Sequence, residues 1–235
     1  MRVRGVVASA LLLACSLQIA TAASAAPASW SGFYAGINAG WATADSTWDN
    51  IATDPAGFGD TLPPATMSDR ISGVLGGVQL GYNFQSGPLV FGADIVANLG
   101  AVSGEIQSPF GAADDFFDLN IAALIAATGR LGYAWERSLI YLKGGIAAAL
   151  VKASATDVAG PTTGAGRDES WRIGPSVGVG FEYAMSSAVS VALEYNYVHL
   201  SDMNYELGDG TGRYVWRIDV PDIHWIAVRL NHRLN

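Results

Sequence analysis

The sequence predicts an all-β chain folded as an eight-stranded antiparallel up-and-down barrel that crosses a membrane. Three observations carry this reading. Segments of about ten residues alternate apolar with small or polar side chains, no later stretch is apolar enough for a spanning helix, and hairpin-short links take turns with long ones.

Composition points the same way. Of 235 residues, half are hydrophobic and only 14% are charged, against roughly 25% in soluble globular domains. A water-facing surface would be short of charge. Thirteen bases, all Arg except Lys143 and Lys152, stand against 21 acids for a net charge of −8, which argues against nucleic acid as a partner. The 28 glycines show no collagen period and sit among Val, Ile, Tyr, Trp and Phe, so collagen and disorder are excluded. The length suits one barrel or sandwich.

Residues 1–25 read as a cleaved secretory signal. Arg2 and Arg4 precede an apolar run from Val6 to Ala14, and Ala23-Ser24-Ala25 fits an Ala-x-Ala cleavage site. The run is shorter than the ~20 residues that a spanning helix needs. Leu12-Leu13-Ala14-Cys15 also resembles a lipobox, which would lipidate Cys15. Cleavage after Ala25 removes this only cysteine and both early arginines, leaving 11 bases against 21 acids, a formal −10, on a single barrel domain over 26–235.

Strands are predicted near 32–43, 71–85, 89–100, 121–135, 138–151, 171–184, 188–200 and 223–234. The clearest is the second, where Val74, Val78, Leu80, Tyr82 and Phe84 alternate with Leu75, Gly77, Gln79, Gly81, Asn83 and Gln85. The sixth repeats it, with Ile173, Val177, Val179, Phe181 and Tyr183 against Arg172, Gly174, Ser176, Gly178 and Glu182. Ser86-Gly87-Pro88, Glu136-Arg137 and Met185-Ser186-Ser187 form short turns, while 44–70, 101–120, 152–170 and 201–222 form long, Asp-, Gly- and Thr-rich loops. Short turns at one rim and long loops at the other are the asymmetry of an outer-membrane barrel, turns periplasmic and loops outside.

The face opposite the apolar one lacks the abundant Lys and Glu that water would require. It is mostly Gly, Ala, Ser and Asn, with Asp94, Arg130, Lys143, Glu182, Glu194 and Arg229 contributed by six different strands. Three acids and three bases suit a narrow lumen, closed by paired charges, that side chains can fill at eight strands. Aromatics gather at both rims: Phe33, Phe84, Phe91, Tyr133, Trp135, Tyr141, Phe181 and Tyr183 near the short turns, Trp41, Trp171, Tyr195, Tyr197 and Trp225 near the loops.

Trp30-Ser31-Gly32-Phe33-Tyr34-Ala35-Gly36 resembles the opening of small Gram-negative outer-membrane surface antigens, the opacity-type and porin-like eight-stranded barrels. The resemblance continues through Arg130-Leu131-Gly132-Tyr133, Tyr141-Leu142-Lys143-Gly144-Gly145, Gly178-Val179-Gly180-Phe181-Glu182-Tyr183 and Leu193-Glu194-Tyr195-Asn196-Tyr197. It implies a structural or surface-exposed barrel, adhesive or porin-like, with no catalytic residues and no cofactor. The barrel assembly machinery and the surrounding lipid and lipopolysaccharide are the partners it implies, with a host or cell-surface ligand at the loops. Family members usually end in an aromatic residue read by that machinery; this chain ends Arg233-Leu234-Asn235.

An enzyme is the competing reading. His199-Leu200-Ser201 resembles the His-x-Ser pair of lipid A deacylases, with His as base, Ser as nucleophile and an acid to orient the ring. Glu206 and Asp209 are the acids at hand, and neither spacing is compelling. His224 and His232 stand apart, without the clustered ligands of a zinc site, and Asp114-Asp115 with Asp118 reads as an exposed acidic loop. Residues 44–69 and 101–120 carry acids without bases, Asp45, Asp49, Asp54, Asp60 and Asp69, then Glu105, Asp114, Asp115 and Asp118, so lipopolysaccharide there would need bridging divalent cations. Arg167, Arg213 and Arg217 in the later loops are the candidate direct contacts to phosphate or sugar. The sequence thus supports a scaffold with a surface-contact role; a narrow porin and a His199/Ser201 deacylase are the alternatives.

Overall fold

A computed structural model describes residues 29–53, 65–107, 115–157, 164–201, 203–208, 213–219 and 222–234. Every regular element in it is a strand: β1 (Gly32–Thr53), β2 (Ala65–Ser86), β3 (Leu89–Gln107), β4 (Asp115–Trp135), β5 (Ser138–Asp157), β6 (Gly164–Ala184), β7 (Val189–Val198), β8 (Met203–Gly208), β9 (Arg213–Asp219) and β10 (Ile223–Leu234). Consecutive strands pair antiparallel from β1 to β7, β7 pairs with β10, and β10 closes on β1 with Phe33 opposite Leu234 and Ala44 opposite Ile223. These eight strands form the ring.

The two faces separate as period-2 alternation requires. Val74, Val78, Leu80 and Phe84 are 54–58% exposed, while Leu75, Gln79 and Asn83 between them are buried. On β6, Ile173, Val177, Val179, Phe181 and Tyr183 point outward and Arg172, Ser176 and Glu182 inward. The outward apolar residues form a belt. The ten residue-to-residue steps from Val74 to Phe84 rise about 33 Å along the strand, or about 25 Å along the axis at the usual tilt, the height of a barrel's membrane band.

The turns at one rim are short. β2 and β3 are joined through Gly87-Pro88, β4 and β5 through Glu136-Arg137, and β6 and β7 through residues 185–188. Gly87 and Glu136, the first turn residues, adopt φ of 60° and 51°. Positive φ at this place lets a two-residue turn follow the strand twist.

At the other rim the structure corrects the predicted loop bounds: among the described residues two strands, β8 and β9, stand in addition to the eight of the ring, and much of the predicted loop is strand. β1 runs to Thr53 and β2 starts at Ala65, with Asp45 opposite Arg70 and Asp49 opposite Thr66. Alternation continues here, with Ala44, Ser46 and Trp48 buried beneath outward Asp45 and Asp49. Only the outward partner has changed, from lipid to water, and polar outward residues imitate a loop. The fourth link holds the β8–β9 hairpin. β9 pairs with the upper part of β1, from Thr47 to Thr53, and β8 lies along β6. Above the membrane, β8 and β9 therefore stand where β7 and β10 stand within it.

The interior is layered. Its extracellular half is an apolar core in which Trp48, Ile71, Leu75, Leu119, Ile121, Leu124, Leu200 and Ile223 are almost fully buried. A smaller apolar layer, Trp30 with Val90, Ala134, Leu139 and Ala184, lies at the end near the short turns. The charged residues lie between the two.

Candidate functional site

Six strands deliver one ionisable side chain each to the middle layer: Asp94 from β3, Arg130 from β4, Lys143 from β5, Glu182 from β6, Glu194 from β7 and Arg229 from β10. All six are no more than 6% exposed. They lie on the inward parity of strands whose outward neighbours are apolar, and the register of six ladders brings them to one level.

The geometry is that of a closed ionic web. Arg229 donates one Nη to Asp94 Oδ2 at 2.8 Å and the other to Glu194. Lys143 Nζ lies 3.2 Å from Glu194 Oε2 and 3.6 Å from Asp94 Oδ2. Arg130 donates Nη1 to Glu182 Oε2 at 3.1 Å and Nε to Asn83 Oδ1 at 2.7 Å. Every charge thus has an opposite partner, as burial in low dielectric demands.

Residues outside the predicted set complete the web. Asp94 also accepts from the Thr128 hydroxyl and, at 3.4 Å, from the Tyr34 hydroxyl. Tyr141 donates to Glu194, while Ser190 and Asn231 donate to Glu182. The Arg130 guanidinium stacks over the Tyr34 and Tyr141 rings at 4.7 and 5.0 Å from their centroids. These rings find room because the facing residues are Gly81 and Gly180, where an added Cβ would lie 2.4 Å from the ring carbons. Inward parity was the signal that would have found both tyrosines. Tyr141 sits between outward Ile140 and Leu142, and grouping it with the rim aromatics was a mistake. Trp225 was misplaced for the same reason: it is buried between outward His224 and Ile226. The other rim aromatics face outward or, for Tyr197, are half-buried.

On the outer face, polar groups form a ring just above the apolar belt. Arg70 and Asp45 pair at 2.6 Å, Lys152 and Glu169 at 3.1 Å, and the Ser154 hydroxyl donates to Asp118 at 3.5 Å. Arg167 is exposed at the upper end of β6. The side chains of Arg213, Arg217 and Glu206, like Asp114, Asp209 and residues 1–28, lie outside the described residues.

His199 and Ser201 are both exposed. The acid beside the ring is one that the sequence reading did not name. His199 Nδ1 lies 2.7 Å from Asp222 Oδ1, across the β7–β10 junction. Asp222 escaped the sequence reading because it stands one residue before β10, and only the register with β7 brings it beside His199. Arg172 donates to the Ser201 carbonyl at 2.8 Å; among the described residues no hydrogen bond joins Ser201 Oγ to His199.

Comparison with known proteins agrees with this architecture. The outer membrane protein beta-barrel domain family matches residues 7–215. A 31 kDa outer-membrane immunogenic protein of Brucella melitensis is 29% identical over 223 residues, 91% of this chain and 87% of the relative. A 22 kDa outer membrane protein of Rhizobium leguminosarum is 31% identical over 146 residues, 61% of each chain. Among solved structures, the outer membrane protease OmpT of Escherichia coli superposes with a TM-score of 0.50 at 9% identity, covering 86% of this chain and 96% of that one, a likeness of fold alone. The chain belongs to the outer membrane protein beta-barrel domain family and is an outer-membrane protein.

Proposed function

We propose that this protein is a closed outer-membrane scaffold whose extracellular extension makes surface contacts, without solute transport or catalysis. One observation carries the reading: the buried web of Asp94, Arg130, Lys143, Glu182, Glu194 and Arg229 lies between an apolar core above and the Trp30 layer below. With the interior filled, the strand extensions and loops are the part left to act. Similarity to an outer-membrane protein called immunogenic supports exposure of that part at the cell surface. Residues 1–25 act as the cleaved export signal. Arg167, Arg213 and Arg217 are the contacts to phosphate or sugar groups of a facing surface.

Two measurements test it. Liposomes carrying the refolded protein are expected to show no swelling in small sugars, and swelling above that of protein-free liposomes would favour the porin. Cells carrying an Arg167→Gln, Arg213→Gln, Arg217→Gln triple variant are expected to adhere less to anionic polysaccharide than cells with equal amounts of the wild type. Unchanged adherence would remove these arginines from the contact.

A further inference from the structure

On the outer face, where β7 meets β10, two imidazoles sit directly above the apolar belt. His199 is held by Asp222, and His224 Nδ1 lies 2.7 Å from the Tyr195 hydroxyl. The register pairs Tyr197 with His224 and leaves His199 one step further up. Diagonal neighbours of this kind are about 7–8 Å apart, close enough for one tetrahedral anion to touch both rings. With each Nδ1 engaged by a neighbour, Nε2 is the nitrogen left to meet a ligand, and on an imidazolium it carries a proton.

The surroundings define what can dock. Tyr195 and Tyr197 lie below, with the Tyr197 ring 5.4 Å from that of His224, and Ile226 and Val228 continue the belt downward. On β1, Thr43 pairs with His224 and Asp45 lies just above it, bonded to Arg70 of β2. On β6 this level presents Pro175, Ile173 and Trp171, none of them titratable. The site is apolar beneath and hydrogen-bonding above. Asp45 is paired with Arg70 and Asp222 with His199, so an imidazolium at His224 brings the patch to a net positive charge. The loops place this rim in the outer leaflet.

We infer that His199 and His224 form a docking site for the phosphate of an outer-leaflet lipid headgroup, with the acyl chains lying on Tyr195, Ile226 and Val228 below. The inference rests on the barrel's orientation but not on the closed lumen or on the contacts proposed for Arg167, Arg213 and Arg217. Imidazole charge makes the contact stronger at acidic than at alkaline pH.

The test uses the refolded full-length protein in detergent micelles, with bisphosphorylated lipid A and its dephosphorylated form as probes. At pH 5.5 the His199→Asn, His224→Asn double variant is expected to bind the phosphorylated lipid at least tenfold more weakly than the wild type, and both proteins to bind the dephosphorylated lipid alike. Both side chains are exposed, and retention of the heat-modifiable band checks that the variant is folded. Histidine ring proton shifts at pH 5.5 give a second readout: phosphorylated lipid should move the resonances of both imidazoles, and inorganic phosphate should not. Equal wild-type and variant affinities, a loss shared by the dephosphorylated lipid, or an equal response to inorganic phosphate would overturn the inference. Loss of adherence in the triple arginine variant would leave it untouched.

Discussion

Arg229 Nη2 lies 2.8 Å from Asp94 Oδ2, a contact between strands that are not neighbours in the ring and so one that spans its interior. Both groups are buried and each has further partners of opposite charge. Removing one partner of a buried pair typically costs about 3–5 kcal/mol when the other is left charged and unpaired; Asp94 and Glu194 keep Lys143, so the loss of Arg229 falls at or below the lower end of that range. Arg229→Ala is expected to lower the temperature at which the heat-modifiable band unfolds, with the barrel still assembled at low temperature. An unchanged midpoint would show that the web contributes nothing to stability.

Gly81 and Gly180 test the packing of the same layer. Each faces a tyrosine ring that leaves no space for a methyl group. Gly180→Ala is expected to destabilise by about 1–3 kcal/mol, the usual cost of overpacking, and Gly87→Ala, where nothing lies within 4 Å, to act through backbone strain alone. Combining Gly180→Ala with Tyr141→Phe should recover little, since the ring carbons also clash. Full tolerance of Gly180→Ala in thermal unfolding would contradict this packing.

Asp222 provides a pH-dependent case. Its hydrogen bond with His199, assisted by Tyr197, holds the carboxyl below the usual carboxylate range. A carboxyl depressed in the folded state stabilises it above the ordinary value near pH ~4, and this contribution is lost as pH falls through the lower folded value. The difference in unfolding midpoint between wild type and Asp222→Asn should therefore be larger at pH 5 than at pH 3. A difference that grows on acidification over this range would contradict the assignment.

His199 and Ser201 separate scaffold from enzyme. Asp222 supplies the orienting acid, but the nucleophile-to-base bond is not formed. Ser201→Ala is expected to change stability by no more than about 0.5 kcal/mol, and neither wild type nor variant to release fatty acid from lipid A. Release by the wild type that disappears in a folded Ser201→Ala variant would establish the deacylase.

Much of this molecule could be read before folding. Side-chain parity placed Asp94 and Arg229 inside and Val78 and Phe181 outside, because a strand has only two faces and the membrane demands that one be apolar. The turns at Gly87 and Glu136 were legible from their brevity. Partnerships were not: Arg229 meets Asp94 through the closure of the ring, which sequence spacing does not encode. The extension of β1 to Thr53 was hidden because Asp45 and Asp49 look like loop residues once the outward solvent is water. The β8–β9 hairpin was hidden similarly. Asp222 became visible only when β10 was set beside β7.

In the proposed function the web and its two apolar layers seal the interior. Conductance of the refolded wild type in planar bilayers tests it most directly. The filled barrel predicts no stable current beyond the background of the bilayer at moderate voltage. A large, stable ohmic pore in the unmodified protein would contradict the account.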